Sequence, residues 1–269
     1  MPNTRYPFGC PTLTGALACG FTGDAILAEQ NCAVAAEQAG RNTLILDLDD
    51  KGSAEAGYQL REAETPRLVR IGSWKLPEAM AAARSGGYDL VIIDTLRRDD
   101  PSVNAAVRAA DFVVIPCRPT PVDLKATPST VATVTRLEKP AVFVLSQTPP
   151  RGERVREAEA GLTTLGVACP VQIVARAAYQ DAHGAGLGVL EFDPQGKAST
   201  EIAQLRQWMT KTMDRMTHDQ AETHVAWSDP QRGRSIRPKR AALLASARTI
   251  GSSVGVGFAQ GGRVKCART

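Results

Sequence analysis

From residue 26 to residue 213, short apolar runs alternate with longer amphipathic stretches. Residues 26–39 form an Ala-rich helical pattern that stops at Gly40, and an apolar strand pattern follows at 43–48. Helix 76–85 sets Leu76, Ala79, Met80 and Ala83 on one face and closes at Gly86-Gly87, before strand 89–93. A short helix at 104–110, strand 112–116, helix 122–137, strand 141–145, helix 154–165 and strand 171–174 continue the alternation. The last helix, 199–213, carries Ile202, Leu205 and Met209 at helical spacing. Strands that are apolar throughout, each followed by a helix, predict an α/β fold: a mostly parallel sheet with helices on both faces.

The breaks are short, so residues 19–216 read as one domain. Residues 1–18 are irregular, with a short strand pattern at 13–18. Residues 217–269 lose the periodicity and read as a disordered basic tail. The charge of +4 conceals this asymmetry: residues 230–269 hold nine Lys or Arg and no acid, while the other 229 residues hold 23 basic and 28 acidic side chains. The apolar fraction of 43% supports a sizeable core, and only 5% aromatic content makes it aliphatic. No apolar run reaches membrane-spanning length and no signal-peptide pattern opens the chain, which predicts a cytoplasmic protein without a membrane partner. The six cysteines lack any CxxC pair and the three histidines lack ligand spacing, which argues against a zinc site or a disulfide framework.

Candidate chemistry gathers at two strand ends. Thr43-Leu44-Ile45-Leu46-Asp47-Leu48-Asp49 ends in two carboxylates spaced two apart, so alternation sends both the same way, and a Lys-Gly-Ser loop follows. Tyr88-Asp89-Leu90-Val91-Ile92-Ile93-Asp94-Thr95 repeats the grammar. In parallel sheets ligands sit at this end of the strands. Together with Ile115-Pro116-Cys117-Arg118-Pro119-Thr120-Pro121-Val122-Asp123-Leu124 and the Gly-Val-Leu-Glu stretch before Lys197, these segments occur in an order that resembles the ParA/MinD group of deviant P-loop ATPases.

The resemblance covers about residues 19–213 and implies a P-loop NTPase-like three-layer sandwich that binds ATP and Mg²⁺. By position it gives Asp49 the orientation of the attacking water, and Asp47 and Asp94 the metal, Asp94 through water. Arg118, Pro119 and Gln147 fall where the family encloses the adenine, and Ser146 stands where an asparagine is common. It also implies a nucleotide-sandwich dimer, a ParB-like centromere-binding partner, nucleoid association and nonspecific DNA binding, with Arg176, Arg206 and Lys211 as candidate DNA contacts.

The phosphate loop departs from that pattern. Where the family reads Lys-Gly-Gly-x-Gly-Lys-Thr-Thr, this chain reads Cys19-Gly20-Phe21-Thr22-Gly23-Asp24-Ala25-Ile26. Gly20, Thr22 and Gly23 keep a loop that is able to turn, but Asp24 replaces the phosphate-binding lysine and Ala25 replaces the hydroxyl that ligates magnesium. A carboxylate a few ångströms from a triphosphate costs on the order of 1–4 kcal/mol per charge pair. The expectation is a partition-type protein, descended from an ATP-dependent DNA segregation machine, with hydrolysis weak or lost. The competing classes are a non-hydrolysing regulatory scaffold and, on the same fold, an ATP-dependent biosynthetic enzyme of the cobyrinate or dethiobiotin type. Two origins fit the altered loop, a genuine pseudo-ATPase or a shifted reading frame upstream of residue 26.

Overall fold

The computed structural model describes residues 25–48, 58–95 and 101–227, with the backbone alone at 25–29, 101 and 214–227. All of them fall within one unit, Met1–Pro230. The strand pattern at 13–18 and the tail beyond Trp227 lie outside the described residues.

The helices are α1 (Ala25–Gln38), α2 (Leu76–Ser85), α3 (Pro101–Ala109), α4 (Pro121–Arg136), α5 (Glu153–Leu165), α6 (Ala177–Gly184), the one-turn α7 (Val189–Phe192) and α8 (Lys197–Trp227). The strands are β1 (Thr43–Asp47), β2 (Arg67–Arg70), β3 (Leu90–Asp94), β4 (Val113–Cys117), β5 (Ala141–Leu145) and β6 (Val167–Ala168). All strand pairs are parallel, in two three-stranded ladders ordered β2-β1-β3 and β4-β5-β6.

Period-two alternation assigns each strand residue to a layer. Leu44, Leu46, Val91 and Ile93 pack with Leu76, Met80 and Ala83 of α2 and Ala106 of α3. Ile45, Leu90 and Ile92 point the other way, onto Ala33 and Ala36 of α1. In the second ladder, Val113, Ile115, Cys117, Phe143 and Leu145 meet Val103 and Val107 of α3 and the buried sides of α4 and α5. Val144 joins Ala35 of α1 and Ile202, Leu205 and Met209 of α8. Thus α3 and α1 each span both ladders, one on each face, which makes the three layers. Helix α1 ends as its sequence requires: Gly40 takes φ +80°, and the Arg41 amide donates to the Ala36 carbonyl at 3.1 Å.

Several elements differ from the sequence pattern, which predicts neither of the short helices α6 and α7. Residues 171–174 form only an isolated bridge, Thr148 to Val174, and β5's outer neighbour is instead the two-residue β6. Strand β2 carries arginines at both ends, which masked its half-buried Leu68 and Val69. Helix α8 runs on to Trp227, because charged and polar residues past Met213 favour a helix as readily as a coil when no Gly or Pro intervenes.

Candidate nucleotide-binding site

Strands β1 and β3 are in register with Asp47 opposite Asp94, so the two carboxylates stand side by side at the C-terminal end of adjacent parallel strands. Both are buried, Asp47 fully. Alternation places them on the face of Ile45 and Ile92, the side covered by α1. The ladder continues past both residues, since Leu48 N–H donates to the Asp94 carbonyl at 3.0 Å and Ile71 N–H to the Asp47 carbonyl at 2.9 Å. That backbone pairing fixes where the two acids sit. The next residue after Asp94, Thr95, has a buried hydroxyl with no hydrogen-bond partner among the described residues.

The second half of the site comes from β4 and β5. Cys117 pairs with Leu145, and the Ser146 amide donates to the Cys117 carbonyl at 2.9 Å, so the loops carrying Arg118 and Pro119 and carrying Gln147 leave neighbouring strand ends. Thr120 caps α4: its hydroxyl accepts from the Asp123 amide at 3.2 Å and donates to the Asp123 carboxylate at 2.7 Å. Gln147 takes φ +48°, a left-handed conformation that non-glycine residues rarely adopt outside constrained sites. Next to it the Thr148 hydroxyl is fully buried, without a partner among the described residues. The structure therefore brings Asp47 together with Asp94, and Arg118 and Pro119 together with Gln147, at the same end of their parallel strands.

Gly20, Thr22, Gly23, Asp24 and Asp49 lie outside the described residues, as do Arg97 and Arg98. Ala25 opens α1. For magnesium the donor set fits: two buried carboxylates in register are the hard oxygen ligands this ion takes. No group of three or more His, Cys, Asp or Glu able to hold a metal occurs among the described residues, so a cation here would complete its shell with water. For the triphosphate the donor set does not fit, because Asp24 and Ala25 supply neither the cation nor the hydroxyl.

Of the candidate DNA contacts, Arg176 follows the Thr148–Val174 bridge beside the Gln147 loop, whereas Arg206 and Lys211 lie on α8. The Arg176 guanidinium is tied to Glu201, its Nε donating to Oε1 at 3.0 Å, and Glu201 Oε2 also accepts from Tyr179 Oη and the Val174 amide, each at 3.2 Å. Arg206 is half-buried on α8 and Lys211 is exposed there.

The sequence pattern gave no notice of a clasp around α1. Asn31, buried in that helix, accepts the Val189 amide at 2.6 Å, and the Gln30 carboxamide oxygen pairs with His183 Nδ1 at 3.0 Å. Arg61 forks onto both Glu191 oxygens at 2.8 Å. Burial opposes ionisation of Glu191, yet the Arg61 fork and the Gly188 amide hold its carboxyl below the ordinary value. Two polar residues in an apolar helix face were the available signal.

A parallel three-layer sandwich with paired acids at its strand ends defines the class, a P-loop NTPase-like nucleotide-binding fold. No protein-family model matches the chain. It is 30% identical over 231 residues to the maintenance of carboxysome distribution protein A of Gloeobacter kilaueensis, an alignment covering 80% of this chain and 97% of that protein. In structure it resembles the septum site-determining protein MinD of Pyrococcus horikoshii, solved with Mg-ADP, with a TM-score of 0.60 at 16% identity over 75% of this chain and 96% of that one. A ParA-family ATPase of Chlorobium tepidum gives a TM-score of 0.59 at 16% identity over 73% and 99% of the two chains. The chain belongs to the ParA/MinD family of ATPases. Among the described residues no helix is long and apolar enough to cross a membrane.

Proposed function

We propose that this chain is a ParA-type positioning protein that distributes a cargo over DNA and has weak or lost nucleotide turnover. The observation that carries the reading is the contrast within one site: Asp47 and Asp94 stand in register where a cation belongs, while Asp24 and Ala25 occupy the lysine and threonine positions of the phosphate loop. In this reading Asp47 and Asp94 hold hydrated Mg²⁺, Asp49 orients water, and the Arg118–Pro119 and Gln147 loops border the base. The chain dimerises across that edge, binds DNA nonspecifically in the nucleoid and takes a ParB-like adaptor. The G. kilaueensis relative, named for carboxysome distribution, supports a cargo-positioning role. The loop also supports a second reading, a regulatory scaffold that keeps the dimer surface with no turnover at all.

The test is ATP and Mg²⁺ titration with turnover measured on the wild type and on a Cys19→Lys/Phe21→Gly/Asp24→Lys/Ala25→Thr variant. The wild type should bind weakly and turn over at background rate, and the repaired chain should bind at least tenfold more tightly. Wild-type turnover equal to that of intact relatives overturns the proposal. Repair that restores binding without turnover favours the scaffold.

A further inference from the structure

A second candidate binding surface lies at the opposite edge of the sheet. Arg41 precedes β1 and Leu90 begins β3, so the site sits about 13 Å, four strand residues, from Asp94. There α1 and α8 leave a crevice of about 30 Å³, floored by Ala36, Leu90, Met209 and Met213 and rimmed by the half-buried Arg41 and Arg206. One water needs roughly 10–15 Å³, so the crevice has room for the branched end of one aliphatic side chain.

Charge at the rim is one-sided. Neither guanidinium has an acidic partner among the described residues. Two acids close to Arg41 are engaged by backbone amides: Glu37, four residues before it, accepts Thr43 N–H at 2.7 Å, and Asp89 accepts the N–H of the adjoining Asn42 at 3.0 Å. Lys211, five residues beyond Arg206 on α8, is an exposed cation of the same helix.

We propose that this crevice docks a short acidic segment of a partner protein, with one aliphatic side chain seated on Met209 and Met213 and flanking carboxylates on Arg41 and Arg206. Guanidinium forks match carboxylates in two hydrogen bonds, and methionine reshapes to an apolar guest. A DNA backbone satisfies the guanidiniums equally but offers nothing to the apolar floor, so the floor favours peptide over nucleic acid. Arg206 then serves a protein partner rather than DNA.

The experiment uses the full chain labelled at its methionine methyls and the peptide acetyl-Ser-Asp-Glu-Leu-Asp-Glu-Ser-amide, beside its Leu→Ser analogue and a short DNA duplex. The expected result is saturable shifts at Met209 and Met213 with Met80 unmoved, and at least tenfold weaker binding of the Leu→Ser peptide. Arg41→Glu and Arg206→Glu should each weaken binding tenfold or more, and Arg206→Lys by less, because it keeps the charge and loses the fork. Far-UV circular dichroism checks each fold, and Arg41→Glu, outside the helices, serves if Arg206→Glu is unstable. Absence of shifts, or peptide binding indifferent to both charge reversals, overturns the proposal. Duplex DNA moving these methyls while the peptide does not also overturns it, in favour of a DNA contact.

Discussion

Asp47 and Asp94 are Cα partners in adjacent parallel strands, both buried at the end where β1 and β3 deliver their last residues beneath α1. Two like charges at neighbouring positions repel, and a divalent cation between them converts that cost into an attraction. Mg²⁺ should therefore raise the melting temperature of the wild type in the absence of nucleotide. At ten times its Kd the linkage amounts to about 1.4 kcal/mol, roughly 3–5 °C for a chain of this size. Asp94→Asn should abolish the increment while folding normally. A Mg²⁺ shift that survives in Asp94→Asn and in Asp47→Asn would remove these acids from the metal site.

Much of the fold was legible because long periodic segments carry their own evidence. Helix 76–85 is α2 as read, and strands 43–48, 89–93, 112–116 and 141–145 lie within one residue of β1, β3, β4 and β5 at either end. The facing of Asp47 and Asp94 followed from two similar strand ends, but their direct pairing depends on β1 and β3 being neighbours, which adjacency in sequence does not decide, since β2 intervenes. The clasp at Gln30, Asn31 and Arg61 was not legible, because its partners lie 130 to 158 residues away in short elements without periodicity. Likewise nothing in the sequence marked Arg176 as the partner of Glu201.

The Arg61–Glu191 pair ties the loop before β2 to α7, with the Arg61 side chain only 3% exposed. Removing one partner of such a pair strands the other, so Arg61→Met should destabilise by about 3 kcal/mol in urea unfolding. Glu191→Gln should cost less, since the amide still accepts from Arg61. The carboxyl of Glu191 titrates below its ordinary 4.5, so its stabilisation is full above that pH and is lost as pH falls through the folded-state value. Glu191→Gln should flatten the acid limb of the stability profile below pH 4.5. An acid limb identical to the wild type's would assign that loss to other carboxylates.

DNA binding separates the tail from the body. Nine cations without an acid at 230–269 should contribute a salt-sensitive, sequence-independent share of any affinity. Deleting those residues should weaken DNA co-sedimentation at low salt and reduce the slope of log affinity against log salt. Arg176→Ala should leave both unchanged while lowering stability, because its guanidinium is committed to Glu201. Equal loss from the deletion and from Arg176→Ala would place the DNA contact on the body.

The thiols of the half-buried Cys32 and the buried Cys169 set the alkaline limit. Burial, with the neighbouring Cys169 thiolate adding to it, pushes Cys32 up to about 12. Burial raises Cys169 to about 11 against the opposing Val171 amide, which donates to its sulfur at 3.4 Å. Both lie above the ordinary 9.0, so the unfolded chain releases these protons first as pH rises. Their contribution is therefore intact below pH 9 and is lost between pH 9 and about 11–12. The urea midpoint should fall across that window, and less steeply in Cys169→Ala, which also removes the thiolate that raises Cys32. At pH 8 both thiols should resist iodoacetamide until urea is added, because the reactive thiolate is scarce in the folded chain. Rapid alkylation of Cys169 in the folded protein would contradict its burial, 2% exposed in the core beneath α8.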